Sequence, residues 1–216
     1  VIDGVYEMFL PFNTSDDIGV YYQGMHSMLV EELGSDLRDR VDDIMFCLPA
    51  NANRQGRSWT AFALGGETFR SYYLDKSCGN LSVLMHEVGH HFGLQHAGRP
   101  NGGKYVDITG YMGYPTNGIP AMCYNGGNHW YMDWFADRRV EVTAESSWTG
   151  KLAAFTDYTE TTEGEHVVLM KVGTYYIQYN RAEKHNIDTR EEQDKVTIVN
   201  RLSSGLTELV AALNAS

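Results

Sequence analysis

Cysteine is scarce in this 216-residue chain, which has three: Cys47, Cys78 and Cys123. Three sulfurs close at most one intramolecular bridge, in any of three pairings, so a disulfide-stapled scaffold is excluded. They are also too far apart for a cysteine zinc knuckle. Positive charge is scarce as well. Lys and Arg total 17 against 28 Asp and Glu, for a net charge of −11. With no basic cluster, the chain offers nothing to a nucleic-acid backbone or an anionic membrane surface. Apolar runs are short, none near the roughly 20 residues that a membrane-spanning helix requires. No pattern recurs at a fixed period, which excludes solenoids, coiled coils and collagen.

What is present is an ordinary globular composition, 43% hydrophobic and 21% charged. The length suits one large domain or a domain with a small appendage. The chain opens at Val1 without a signal-peptide pattern and reads as a processed or trimmed segment. Val5 to Phe12 reads as a strand. Ile18, Tyr21, Tyr22, Met25, Met28, Leu29 and Leu33 recur at three and four, predicting a helix that Gly34 stops. Asp43 to Pro49 and Trp59 to Leu64 read as strands. Gly65-Gly66 turns the second into an antiparallel neighbour over Glu67 to Leu74. Gly98 to Gly127 reads as loop, and Asn128 to Asp137 as a short helix. From Val140 onward strand signals dominate, over His166 to Lys171, Thr174 to Asn180 and Lys195 to Asn200. Leu206 to Leu213 reads as a terminal helix. Together these elements predict an α+β fold.

The chemistry concentrates in residues 86 to 96, His-Glu-Val-Gly-His-His-Phe-Gly-Leu-Gln-His. His86 and His90 lie one helical turn apart, so both imidazoles reach one ion at about 2.0–2.1 Å. Gly93 can take a positive φ and swing the chain back, which brings His96 in as a third ligand. Three protein nitrogens leave the fourth position of a tetrahedral zinc for water, as catalytic sites do. Glu87 is placed to hold that water. Leu81, Leu84, Met85, Val88 and Phe92 form the opposite stripe, expected to bury against the sheet. A bare H-E-x-x-H arises by chance on ordinary helices; the added Gly and third His at fixed offsets do not. His91 falls off the ligand face. It reads as a packing or surface histidine, as do His26, His129, His166 and His185.

The string His86 to His96 is the metzincin zinc-protease signature, and Tyr111-Met112-Gly113-Tyr114 is similar to the Met-turn of that superfamily. More narrowly, the chain resembles the gametolysin-like family. The matching pieces are Phe46-Cys47-Leu48-Pro49, Met85 to Ala97, Tyr105-x-Asp107-x-x-Gly110 into the Met-turn, Met122-Cys123-Tyr124-Asn125, and Trp130-x-x-x-Trp134-Phe135. The resemblance covers roughly residues 43 to 140. It implies a metzincin-type catalytic domain over 1–140, with an upper portion of residues 1–96 and a lower portion of residues 97–140. A β-rich extension over 141–216 would pack on it. It further implies a secreted zinc endopeptidase acting on extracellular or cell-wall glycoproteins, a monomer with Zn²⁺ on His86, His90 and His96 and Glu87 as general base. Substrate would lie extended along an exposed edge strand near Glu67 to Leu74. Met112 would support the metal site without ligating. Tyr114, two residues after Met112, is the candidate donor to the oxyanion. Two other readings compete: a zincin exopeptidase, and a non-catalytic zinc-stabilised binding or structural protein.

Overall fold

The computed structural model describes residues 6–9, 11, 18–34, 41–49, 59–64, 69–114 and 121–215. In it the stripe at three and four forms helix α1 (Ile18–Leu33). Among its described side chains, Tyr22, Met25 and Leu29 are buried. The helix ends where expected. Gly34 takes φ +65° and donates its N–H to the Val30 carbonyl at 3.1 Å, which a residue with a Cβ would do only under strain. Residues 6–9, inside the stretch expected to be a strand, have no regular structure, and the rest of that stretch except Pro11 lies outside the described residues.

The chain divides into two compact units, Val1–Ser77 and Cys78–Ser216. In the first, strands β1 (Asp43–Leu48), β2 (Ala61–Leu64) and β3 (Phe69–Leu74) make one sheet in the order β1-β3-β2. The β2–β3 pair is antiparallel, as expected, with Ala61 opposite Tyr73. β1 runs parallel to β3, from Asp43 opposite Phe69 to Leu48 opposite Leu74. This corrects one expectation. Phe69–Leu74 is the central strand with partners on both sides, so its backbone groups are already committed and no peptide can add to it. The core is Tyr22, Met25, Leu29, Phe46, Leu48 and Tyr72. The Tyr72 ring stacks on Phe46 at 5.0 Å and on Phe62 at 4.8 Å, offset packing that aromatic quadrupoles favour.

The second unit begins with helix α2 (Leu81–His91) and continues through β4 (Ala97–Gly98), helix α3 (Gly126–Tyr131) and β5 (Arg139–Val142). β6 (Lys151–Leu152) and β7 (His166–Val167) pair with each other. β8 (Leu169–Val172), β9 (Tyr175–Asn180), β10 (Lys195–Arg201) and β11 (Thr207–Asn214) follow. A six-stranded sheet has the order β4-β11-β10-β9-β8-β5. Thus β4, directly after His96, and the C-terminal strands belong to one sheet.

Two expectations need correction here. Leu206 to Leu213 is not a helix. Thr207 and Leu209 are buried two residues apart, and β10 pairs with the whole strand. Glu, Leu and Ala favour a helix locally, but sheet pairing on a buried face outweighs a propensity worth tenths of a kcal/mol per residue. The helix expected over Asn128 to Asp137 is Gly126–Tyr131, capped by the Asn125 side chain, which accepts from the Asn128 N–H at 3.2 Å. It stops before Asp133 and Phe135, which take φ +60° and +59°. The molecule is mixed α/β with few helices, and no helix among the described residues is long and apolar enough to cross a membrane.

Candidate metal centre

α2 is started by Asn80, whose side chain accepts from the N–H groups of Ser82 (3.0 Å) and Val83 (3.4 Å). Its buried positions are Ser82, Val83, His86, Glu87 and Gly89. This departs from the expected orientation in part: Leu81 and Phe92 are exposed, Leu84, Met85 and Val88 are half-buried, and His86 and Glu87 lie inside. The reason is close backbone approach. A Cβ on Gly89 would collide with the Met112 sulfur and reach Tyr124 Cε1 at 3.1 Å, so only glycine lets the helix settle on Met112 and Tyr124. Leu94, Ala97, Tyr111, Met112, Met122 and Tyr124 form the apolar bed at that place. Met112 is fully buried there.

The chain leaves the helix at Gly93, φ +79°, with the Gly93 N–H on the His90 carbonyl and the Leu94 N–H on the Gly89 carbonyl, both 3.0 Å. Buried Leu94 anchors the return. His96 arrives held by its backbone, its carbonyl accepting from Thr207 N–H of β11 at 3.2 Å. The three predicted histidines therefore converge. Their ligand atoms lie within 4.8 Å of one another, and His90 Nε2 is 3.1 Å from His96 Nε2. Nitrogens about 3.3 Å apart are what a tetrahedral ion with bonds of about 2.0–2.1 Å needs.

Protonation fits the same purpose. His86 Nδ1 donates to the Tyr111 carbonyl at 2.7 Å, and His90 Nδ1 to the Leu94 carbonyl at 2.9 Å. Carbonyls only accept, so these nitrogens carry the protons and each Nε2 keeps its lone pair. Burial, with His90 beside it, holds His86 down at about 4. Burial likewise lowers His90, and takes His96 to about 3. All three imidazoles are thus neutral at neutral pH, the form that binds metals. Glu87 is buried, its Oε2 has no hydrogen-bond partner among the described residues, and burial raises its pKa to about 7. Three converging lone pairs beside an unmatched buried carboxylate suit a divalent cation.

Tyr114 does not join this cluster. Its ring is 65% exposed and meets Tyr105 edge-on at 6.5 Å. Tyr105 is the aromatic at the centre, its ring 4.0 Å from that of His96. The family resemblance includes Tyr105 in Tyr105-x-Asp107-x-x-Gly110 but gives it no role, because it comes from a loop and reaches the histidines only through the fold.

The surrounding loops are tied by buried polar groups. Fully buried Asp107 accepts from Thr109 N–H (3.0 Å), Thr109 Oγ1 (2.6 Å) and Asn125 Nδ2 (3.1 Å). Burial nevertheless raises its pKa. Asn125 spends its other amide hydrogen on Thr207 Oγ1 at 2.8 Å. Glu191 holds Arg99 and accepts from Ile108 N–H at 3.1 Å. His129, expected to be a packing histidine, is fully buried. Its Nδ1 lies 2.7 Å from Gln178 Oε1, and its ring lies among Trp134, Phe135 and Phe155. Cys123 has a free thiol, its pKa pushed up to about 12 by burial.

Compared with known proteins, the chain matches a family model described as gametolysin peptidase M11 over residues 35–202. No curated protein and no solved structure matches it.

Proposed function

The chain belongs to the gametolysin peptidase family M11, a metallopeptidase family, and from that premise we propose that it is a zinc-dependent, metzincin-type endopeptidase. In this reading it is a secreted monomer that cleaves extracellular or cell-wall glycoproteins. The observation that carries the reading is the convergence of three neutral imidazoles, His86, His90 and His96, beside buried Glu87. Donors that are all nitrogen favour zinc over calcium or magnesium, which take oxygen.

Zinc on these histidines supplies Lewis-acid activation of water and of the scissile carbonyl. The protein's own groups do the rest. The carbonyls of Tyr111 and Leu94 fix the rings of His86 and His90 so that Nε2 faces the site. Glu87 takes the proton of the attacking water on its carboxylate and passes it to the leaving amine. Tyr114, two residues beyond Met112, stands outside the histidine cluster, so its proposed role as donor to the developing oxyanion requires the side chain to turn inward over bound substrate. In the proposed catalytic domain of residues 1–140, the lower portion, residues 97–140, carries Tyr105, Met112 and Tyr114. Residues 141–216 brace it through Glu191, through Gln178, and through Asn186 Oδ1, which accepts from Cys123 N–H at 3.2 Å.

Casein zymography with and without a chelator tests this. Clearing that the chelator abolishes and zinc restores is expected. No clearing under any metal would favour the non-catalytic reading, and release of only terminal residues from unblocked peptides would favour the exopeptidase.

A further inference from the structure

Two of the three histidines are oriented in the way metal-ligating histidines commonly are. His86 and His90 each commit Nδ1 to a backbone carbonyl, and both sit on a rigid helix. His96 has neither advantage. It lies in the extended return before β4, and among the described residues its ring nitrogens pair only with His90 Nε2. Its backbone is fixed through Thr207, but that leaves the ring free to turn about its side-chain torsions.

What meets the ring is Tyr105. The two ring centroids are 4.0 Å apart with the planes tilted by 44°, closer than any other ring contact to this histidine. Tyr105 is itself held. Its carbonyl accepts from the Tyr114 N–H at 2.6 Å, which ties it to the end of the Met-turn. The Lys104 ammonium lies 5.2 Å over its face, and the Tyr114 ring stands edge-on to it at 6.5 Å.

We infer that Tyr105 is a positioning residue for the third metal ligand, its ring packing His96 into the ligating orientation that hydrogen bonds give His86 and His90. The inference rests on the metal-binding reading of the histidine triad. The ring carries the effect and the hydroxyl is dispensable, because the contact is ring to ring and no hydrogen bond joins the two side chains. Mutating partners that orient a metal-binding histidine typically costs about 10–100-fold in metal affinity.

The test measures zinc affinity of the full chain against a chromophoric chelator at pH 7.5, for wild type, Tyr105→Phe, Tyr105→Leu and Tyr105→Ala, with far-UV circular dichroism of the zinc-free proteins. Cobalt absorption spectra of the same set report the ligand field directly. Tyr105→Ala is expected to bind zinc about 10–100-fold more weakly with an altered cobalt spectrum. Tyr105→Phe is expected to stay within a few-fold of wild type with the same spectrum. Tyr105→Leu, which fills part of the space without a flat face, should fall between them and stands in if Tyr105→Ala misfolds. Wild-type affinity in both Tyr105→Ala and Tyr105→Leu overturns the inference. So does a loss in Tyr105→Phe as large as in the smaller variants, which would move the role to the hydroxyl. A wild-type chain that binds no zinc is a separate outcome, and it removes the metal-binding reading itself together with this one.

Discussion

His129 should make the protein's stability fall with acid in a defined window. The ring is fully buried among Trp134, Phe135 and Phe155, and desolvation lowers its pKa from 6.5 to about 4 despite the bond to Gln178. The folded chain therefore resists protonation until about pH 4, whereas the unfolded chain takes up the proton below about 6.5. Between those values the unfolded state binds more protons, so stability drops as pH falls and levels off below the folded value. The gap corresponds to about 3 kcal/mol. His129→Asn keeps an N–H for Gln178 and removes the titration. It loses ring packing at every pH, so the variant is less stable throughout. The diagnostic quantity is the slope. Urea unfolding from pH 7 to 4 should show the wild type losing about 3 kcal/mol more than the variant. His86, His90 and His96 shift in the same direction in both proteins and cancel in the difference. Parallel curves would refute the reasoning.

Asn125→Ala strips the donor from buried Asp107 and Thr207 and uncaps α3, so urea midpoints should report a loss of about 2–4 kcal/mol. Gly89→Ala forces a Cβ against the Met112 sulfur, and thermal melts should show about 1–3 kcal/mol of destabilisation; an unchanged melt would mean that the helix does not rest on Met112. Tyr114→Phe removes a hydroxyl without opening a cavity. If the phenol stabilises the oxyanion, kcat falls about 100-fold with KM nearly unchanged. A variant matching wild type, or changed only in KM, makes Tyr114 a wall residue.

Much of this was legible in the residues, and the exceptions share a cause. The α1 stripe, its Gly34 stop and the β2–β3 hairpin are local patterns, and each appears at nearly the expected positions. The triad was legible because helical spacing and one glycine fix where its members fall. The buried face of α2 was not, because hydropathy sends apolar residues inward. Here Ser82, His86, Glu87 and Gly89 are inside and Leu81 and Phe92 outside. The central place of β3 depends on its parallel partner β1, separated from it by β2 in sequence. β11 reads as helix until its partner β10 is known. Tyr105 meets His96 only after the loop has folded over the site.

The central claim is that the three histidines hold the metal and Glu87 moves the proton. One paired measurement tests it most directly: zinc content after dialysis and peptidase turnover, for wild type and Glu87→Gln. About one zinc per chain in both is predicted, with turnover in the variant lower by about 10²–10⁴-fold. Near-normal turnover in a zinc-loaded Glu87→Gln, or an active wild type without zinc, would contradict the account.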